Sequence, residues 1–595
     1  MNRRQFAKSV AALIPAAFPK SSAGKWSFLA EESSKSPHEM SADIVIIGGG
    51  VGGCAAALAA ARNGKRVIMT EETDWIGGQF TAQGLAAPDE HAFIESHGRT
   101  RSYATYRNLV RDYYRNHYPL TSNARARRDL NPGDGWVSAL CHEPTVALQV
   151  FYQMLAPYLS NGRLVILLSS TAIAADTQGD QVRAITVQHV STGSKTTLHA
   201  PYFLDATELG DLLPLTKTEY VTGAESQKQT GELHAPTEAN PLNMQSFTVC
   251  FAVDYVPQHD YTIDKPAEYA FWKNYVPNLT PPYVQKLFGL VAASPYDLGE
   301  RPFSLNPALD PPTTGHYAGP NGEAQSSSRH IENLWTYRRL VNQHNFIPSS
   351  YSGSTTLVNW PQNDYWLGNL IEVPADEAAR HLSRAKQLSL SLLYWLQTEA
   401  HRPDGGAGWP GLRLRKDLVG TEDGLAKYPY IREARRIRAE FTVTEAHVGT
   451  EQRMKLTGKS EQDVSAESFV DSIGVGSYRL DLHPSTGGNN YIDLASLPHE
   501  IPLGALIPQR VDNLLPACKN IGTTHLSNAC YREHPIEWNI GETAGALAAF
   551  CLEKQILPRQ VRANSALLTE FQTLIQAQGV EIRWPKTSSR APSKR

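Results

Sequence analysis

The chain has 595 residues, with 56 Lys and Arg against 59 Asp and Glu, a net charge of -3 at pH 7. That length exceeds one hydrophobic core, so two or three domains are expected. The near-even balance of charge gives no electrostatic case for nucleic acid or an anionic membrane. No apolar run after the N-terminus reaches the roughly 18 residues that span a bilayer, so no transmembrane segment is expected in the mature chain.

Arg3 and Arg4 stand ahead of a short apolar run, Val10 to Phe18, and of small residues at Ser21 to Ala23. This reads as a twin-arginine export signal over residues 1–23, followed by a polar linker over 24–40. It predicts a periplasmic or extracellular protein handed, already folded, to the twin-arginine export machinery. The plain alternative is a disordered basic tail.

Residues 42 to 71 then read as a buried strand, a glycine turn, an alanine-rich helix and a second strand ending in an acid. Gly48, Gly50 and Gly53 occupy the G-x-G-x-x-G positions: a tight turn, a close approach of backbone to a pyrophosphate, and close packing of helix on strand. The helix N-terminus would face the phosphates, and Glu71 would accept hydrogen bonds from a ribose. Dinucleotide binding follows. A second glycine turn, Gly77-Gly78-Gln79, offers another approach of backbone to that cofactor.

Helices are expected over 99–118 and 144–159, then a strand over 163–168 and a small meander over 182–199. The meander leads into Leu204-Asp-Ala-Thr-Glu-Leu-Gly-Asp211, a second apolar strand ending in an acid-bearing glycine turn. The middle of the chain is rich in Pro, Trp and Tyr without a repeat; its best helix runs from Asp376 to Ala400. The segment 357–366 mixes aromatic and amide groups, as polyol sites do, but reads first as a capped loop on its own core. The basic stretch within 425–445 is expected on a solvated face, with an anion or flavin contact as the lesser reading. A strand over 511–518 and a helix rich in small residues over 535–550 close the informative part. Beyond Leu557 the chain is expected to tail off, with 586–595 disordered.

Six cysteines are scattered without a C-x-x-C pair, and no Cys/His cluster has metal spacing, so no metal site is expected. Cys54 has no partner nearby, which argues against a flavin disulfide reductase. Cys518 and Cys530 are either a bridge formed after export or free buried thiols.

The glycine turn with Glu71, the block 204–211 and the block 513–549 stand in an order that resembles the FAD-dependent oxidoreductases of the glutathione-reductase-like fold. More narrowly, they resemble the bacterial FAD-dependent oxidoreductase family, whose middle-motif glycine is Glu208 here. The resemblance implies an α/β protein. A Rossmann-like FAD-binding domain, three layers of the ββα type, would be built from 41–215 and 500–557. An α+β substrate domain would be inserted over 216–499, with a C-terminal tail over 558–595. It also implies FAD as cofactor, with Gly48, Gly50 and Gly53 on the pyrophosphate and Glu71 on the ribose. Gly77, Gly78 and Gln79 would lie toward the flavin, with Asp211 near the cofactor. A helix beginning near Asn539, with Gly541 and Glu542 in its first turn, would point its positive end at the reduced flavin. The other glycine cluster, Gly474 to Tyr478, lacks a following helix, so no built-in nicotinamide domain is expected.

Oxidation of a CH–OH or CH–NH carbon of a small organic substrate, with hydride passing to flavin N5, is therefore expected. Oxygen or a redox partner would accept the electrons. The reaction needs a base for the accompanying proton, and histidine is tuned for it. His534 and His525 flank the loop before the last helix, and His483 follows in Asp481-Leu-His; these three are the candidates. The plain alternative for each is a histidine bonding loop backbone. Arg532 is placed in a surface salt bridge, with stabilisation of anionic flavin or binding of a substrate carboxylate as its lesser readings. The runner-up functions are a flavin-dependent reductase or monooxygenase fed by an external donor, and a flavin-binding protein without turnover.

Overall fold

The computed structural model describes residues 38–282, 285–312 and 331–585. The expected export signal, most of the linker and the last ten residues lie outside them.

The central sheet is parallel, in the order Leu514–Pro516, Tyr202–Asp205, Ile44–Ile47, Val67–Thr70 and Leu164–Leu167. Its inner strands are buried on both faces and apolar up to Thr70 and Asp205 at the C-terminal ends of two of them, as a covered parallel sheet requires. Ile44 and Ile46 face the helix Val51–Arg62, whose alanines let it lie close to the sheet. Val45, Ile47, Ile68 and Phe203 face the other way, against Val182, Ile185, Val187 and Leu198. Those residues belong to the antiparallel meander Ser170–Gln178, Gln181–His189 and Lys195–His199. Helix, parallel sheet and meander make the three layers expected from the sequence.

A helix over His534–Lys554 packs along Val51–Arg62. Small residues decide this contact: a Cβ on Gly541 would lie 2.0 Å from the Gly52 carbonyl oxygen, and one on Gly545 2.3 Å from that of Ala56. The helix starts at His534 rather than near Asn539, because Pro535 fits its first turn and Glu533 is still extended.

A second core lies around the antiparallel sheet Arg339–Val341, Thr355–Val358, Phe251–Tyr255 and Leu412–Leu414. The helix Ala375–Thr398 covers it with Ala385, Leu388, Leu392 and Leu396, spaced three and four apart. Trp272, Trp335, Trp360 and Tyr365 fill the remainder. This α+β unit is inserted in the α/β frame. The segment 357–366 does pack on its own core, as strand, short 3-10 turn and strand.

The sequence reading needs three corrections here. Residues 558–585 are not a tail: the helices Pro558–Ala563 and Ser565–Ala577 bury Val561, Leu568, Phe571 and Ile575 in the first core. The stretch before residue 500 returns to that core too, through Val443, Val448, Ile473 and Leu480. The basic stretch is not a solvated face, since Arg432 and Arg436 are buried against acids, Arg432 on Asp364 and Arg436 on Glu225 and Glu433. All six cysteines are free and buried.

Candidate cofactor cleft and active site

The C-terminal ends of the parallel strands gather the glycine turns around one cleft of about 550 Å3. Gly48 turns with φ +101°, and a Cβ there would lie 2.2 Å from the Ala206 carbonyl oxygen. Gly53 is equally closed, 2.0 Å from the Gly48 carbonyl, so it serves packing. Gly50 differs: the nearest atom to its Cβ position is the movable end of Glu208, 2.8 Å away. Gly50 also begins the helix Val51–Arg62 and, as a glycine, caps it with no side chain; of the first-turn N–H groups, that of Gly52 is turned to the Glu537 carboxylate.

Glu71 ends the second strand inside the cleft, its carboxylate accepting from the N–H groups of Gly49 at 3.0 Å and Thr73 at 2.8 Å. Burial pushes its carboxyl up to about 7. Gly77 donates its N–H to the Gly49 carbonyl at 2.7 Å, which brings Gly78 against Gly50. Gln79 is buried behind them and donates to Glu537 at 2.8 Å and to the Arg532 carbonyl at 3.2 Å. Asp211 lines the cleft and pairs with Arg435 at 3.1 Å.

Two residues here, Lys519 and Glu537, escaped the sequence reading. Lys519 is fully buried, paired with Glu208 and 3.6 Å from Glu537. Burial opposes its charge, yet the two carboxylates hold it charged. One signal pointed to it: it stands just past the strand Leu514–Pro516, at the strand end where open α/β sheets bind ligands. Glu208 Oε1 and Gln79 Oε1 have no hydrogen-bond partner among the described residues.

Asn539, Gly541 and Glu542 are engaged elsewhere. Asn539 donates to the Ile473 carbonyl at 3.2 Å, Gly541 touches Gly52, and Glu542 pairs with Arg62 at 2.9 Å. The helix residue that reaches the cleft side is Glu537, one turn from the start.

The three histidines have different surroundings. His534 is enclosed, with Phe80 at 4.7 Å between ring centroids and its Nδ1 accepting the Asp89 N–H at 3.3 Å. Burial lowers it to about 4. Asp89, Glu533 and His534 have spacing that could suit a metal ion. Asp89 and Glu533 are already matched by Arg338 at 3.2 Å and Arg532 at 2.9 Å. Arg532 is thus buried rather than on the surface, and it also donates to the Tyr430 hydroxyl at 2.8 Å.

His525 bonds Glu433 at 2.8 Å. Burial works against ionised Glu433, but His525 and Arg436 hold its carboxyl at about 2. His483 bonds Asp364 through Nδ1 at 2.6 Å, and its Nε2 lies 3.6 Å from Asp481. Asp364 is fully buried, yet Arg432 and His483 keep it below the usual carboxylate range. Gln245 joins these two pairs. Its side-chain oxygen accepts the His483 N–H at 3.3 Å, and its own N–H donates to Glu433 at 3.0 Å.

The family model described as FAD dependent oxidoreductase matches residues 43–575. The chain belongs to the FAD-dependent oxidoreductase family. No curated protein matches it. Among solved structures it is similar to an L-proline dehydrogenase from P. horikoshii, with 14% identity, 32% of this chain and 25% of that one covered, and a TM-score of 0.17. A glycerol-3-phosphate dehydrogenase from Bacillus halodurans, complexed with FAD, shares 13% identity over 36% and 40% of the two chains, with a TM-score of 0.22. In both, the chain spans less than half of the solved protein. A geranylgeranyl bacteriochlorophyll reductase-like protein from Thermoplasma acidophilum shares 10% identity over 91% and 85%, with a TM-score of 0.28.

This family member is an oxidoreductase with FAD as cofactor, and its cleft fits that group. The uncapped helix start at Gly50 suits the diphosphate, and Glu71 has carboxylate oxygens where a ribose would bring hydroxyls. Lys519 stands buried behind Glu208, which lines the cleft, and pairs with it. Glu208, standing over the glycine turn, is the side chain that must yield to the cofactor.

Proposed function

We propose that this oxidoreductase dehydrogenates a CH–OH or CH–NH carbon of a small organic substrate, with His483 as proton acceptor. The observation that supports it most is the order of the Asp364–His483 pair: a fully buried carboxylate behind a half-buried imidazole. An ionised carboxylate only accepts hydrogen bonds, so Nδ1 turns its N–H to Asp364, and Nε2, with the Asp481 carboxylate 3.6 Å away and beyond hydrogen-bond distance, is the ring nitrogen left to meet a substrate. Asp364 is itself held by Arg432 at 3.0 Å and by the Thr248 hydroxyl, and the Tyr491 ring stands edge-on to the imidazole. Nε2 is then the atom that takes the proton from the substrate's hydroxyl or amine. Bound FAD supplies the two-electron acceptor for the hydride that leaves the adjacent carbon. His534 suits this role less, because it is enclosed and its Nδ1 already accepts a backbone N–H.

Export through the twin-arginine pathway completes the proposal, with oxygen or a redox partner taking the electrons. Among the described residues no helix is long and apolar enough to cross a membrane.

Anaerobic mixing of the FAD-loaded protein with alcohols and amines tests the reaction. Loss of the flavin band near about 450 nm is expected with one of them, and His483→Asn should slow it by about 10²- to 10⁴-fold at unchanged FAD content. Bleaching by NADH or NADPH, and by no alcohol or amine, would instead favour a reductase or monooxygenase.

A further inference from the structure

A second, narrow opening lies beside Leu209, next in sequence to the cleft residue Glu208. Gln245, Asn369 and Arg432 come to it from three separate segments, and each is at least nine-tenths buried. Each is anchored at one end and unmatched at the other. The Gln245 oxygen accepts the His483 N–H, which leaves the amide Nε2 as an unpartnered donor. Asn369 donates its Nδ2 to the Leu242 carbonyl at 2.9 Å, which leaves Oδ1 as an unpartnered acceptor. Arg432 uses Nη1 on the Ser246 carbonyl and the Thr248 hydroxyl and Nη2 on Asp364, and its Nε has no partner. Buried polar groups are ordinarily satisfied by protein, water or ligand, and here three residues that line one cavity each keep an unpartnered atom, which makes it a candidate ligand site.

The chemistry of that ligand follows from the count of two donors and one acceptor. A carboxylate only accepts and leaves Asn369 unmatched. An ammonium only donates and leaves Gln245 and Arg432 unmatched. A hydroxyl does both. A hydroxy acid could satisfy all three atoms, but its charge would go uncompensated. Arg432 is already neutralised by Asp364, and the Glu433 carboxylate lines the same cavity. Phe247, Ile371 and Leu209 offer apolar surface for the C–H face of such a molecule.

We propose that this cavity is the substrate subsite and that it takes a small neutral molecule with neighbouring hydroxyls, a sugar or polyol. The proposal rests on the reading that the enzyme oxidises a CH–OH or CH–NH carbon, and it narrows that reading to CH–OH.

The test is equilibrium binding to the FAD-loaded protein, read by perturbation of the flavin spectrum, with D-glucose, myo-inositol and glycerol set against L-lactate and benzylamine. At least one neutral polyol should bind, and Gln245→Glu, which keeps size but exchanges the unmatched donor for an acceptor, should weaken it at least about 10-fold. Asn369→Leu should do the same, while the flavin band shows that both variants remain folded and loaded. Polyol binding that responds to both variants, without anaerobic bleaching, would uphold the subsite and sink the reaction assigned to it. Bleaching by lactate or benzylamine without polyol binding would overturn the subsite and leave the oxidation standing. Polyol binding indifferent to both variants, or no binding of any probe, would also overturn it.

Discussion

Lys519 shows how much a single buried charge decides. An ammonium with no exposed surface is tolerable only with partners, and Glu208 and Glu537 provide them. Were a bound dinucleotide to move the Glu208 carboxylate off the glycine turn, the Lys519 ammonium behind it would be the nearest paired cation to that turn. Lys519→Met should therefore raise the FAD dissociation constant by about 10- to 100-fold, as expected for losing a charged hydrogen bond. Adding Glu208→Gln should recover part of the loss, because the stranded carboxylate is then gone; titrating FAD fluorescence into apoprotein measures both. His499 bears on stability. Burial lowers it to about 4 from an ordinary 6.5, so the unfolded chain accepts a proton that the fold refuses. Its contribution is intact above the ordinary value and lost as pH falls toward the lowered one. Between neutral pH and about pH 5, the wild type should lose about 2 kcal/mol more stability than His499→Gln in denaturant unfolding.

At the level of elements, two helices are held together by missing side chains. Gly541 and Gly545 let His534–Lys554 lie directly on the backbone of Val51–Arg62. That contact orients the start of both helices at the cleft, one carrying Gly50 and the other Glu537. Gly541→Ala places a methyl 2.0 Å from a carbonyl oxygen, so a helix must shift. The expected cost is about 1–3 kcal/mol in thermal unfolding, with weaker FAD retention as the helix starts move apart. The small-residue helix was legible from its composition over 535–550, but the flavin-facing start that the resemblance put near Asn539 was not its true start. Pro535 reads equally well as a breaker and as a first-turn residue, and only the extended conformation of Glu533 decides between them.

For the whole molecule, two cores meet the demands of two tasks. The parallel-sheet core carries the glycine-lined cleft, and the α+β core brings Asp364, Arg432 and the cavity proposed for the substrate. A chain that must enclose FAD suits export in the folded state. Replacing Arg3 and Arg4 together by Lys should therefore leave active, FAD-loaded protein in the cytoplasm of a producing cell, which fractionation and flavin absorbance would measure. Accumulation of the variant outside the cytoplasm at the wild-type level would count against the twin-arginine route.

Local sequence by itself determined the dinucleotide motif, and the three-layer frame followed from the family resemblance that this motif and two later blocks carry. Gly48, Gly50, Gly53 and Glu71 lie within one short stretch, where spacing along the chain dictates spacing in the turn. The helix Ala375–Thr398 was equally plain, because its buried face repeats every three to four residues. The tertiary structure alone decided the rest. Lys519 meets Glu208 across 311 positions of chain, and His483 meets Asp364 across 119. Arg432 and Arg532 read as surface charge until their acids are seen beside them. Such pairs leave no periodicity and no motif: a buried charge is paired by whichever segment the fold brings near, and sequence distance carries no record of that meeting.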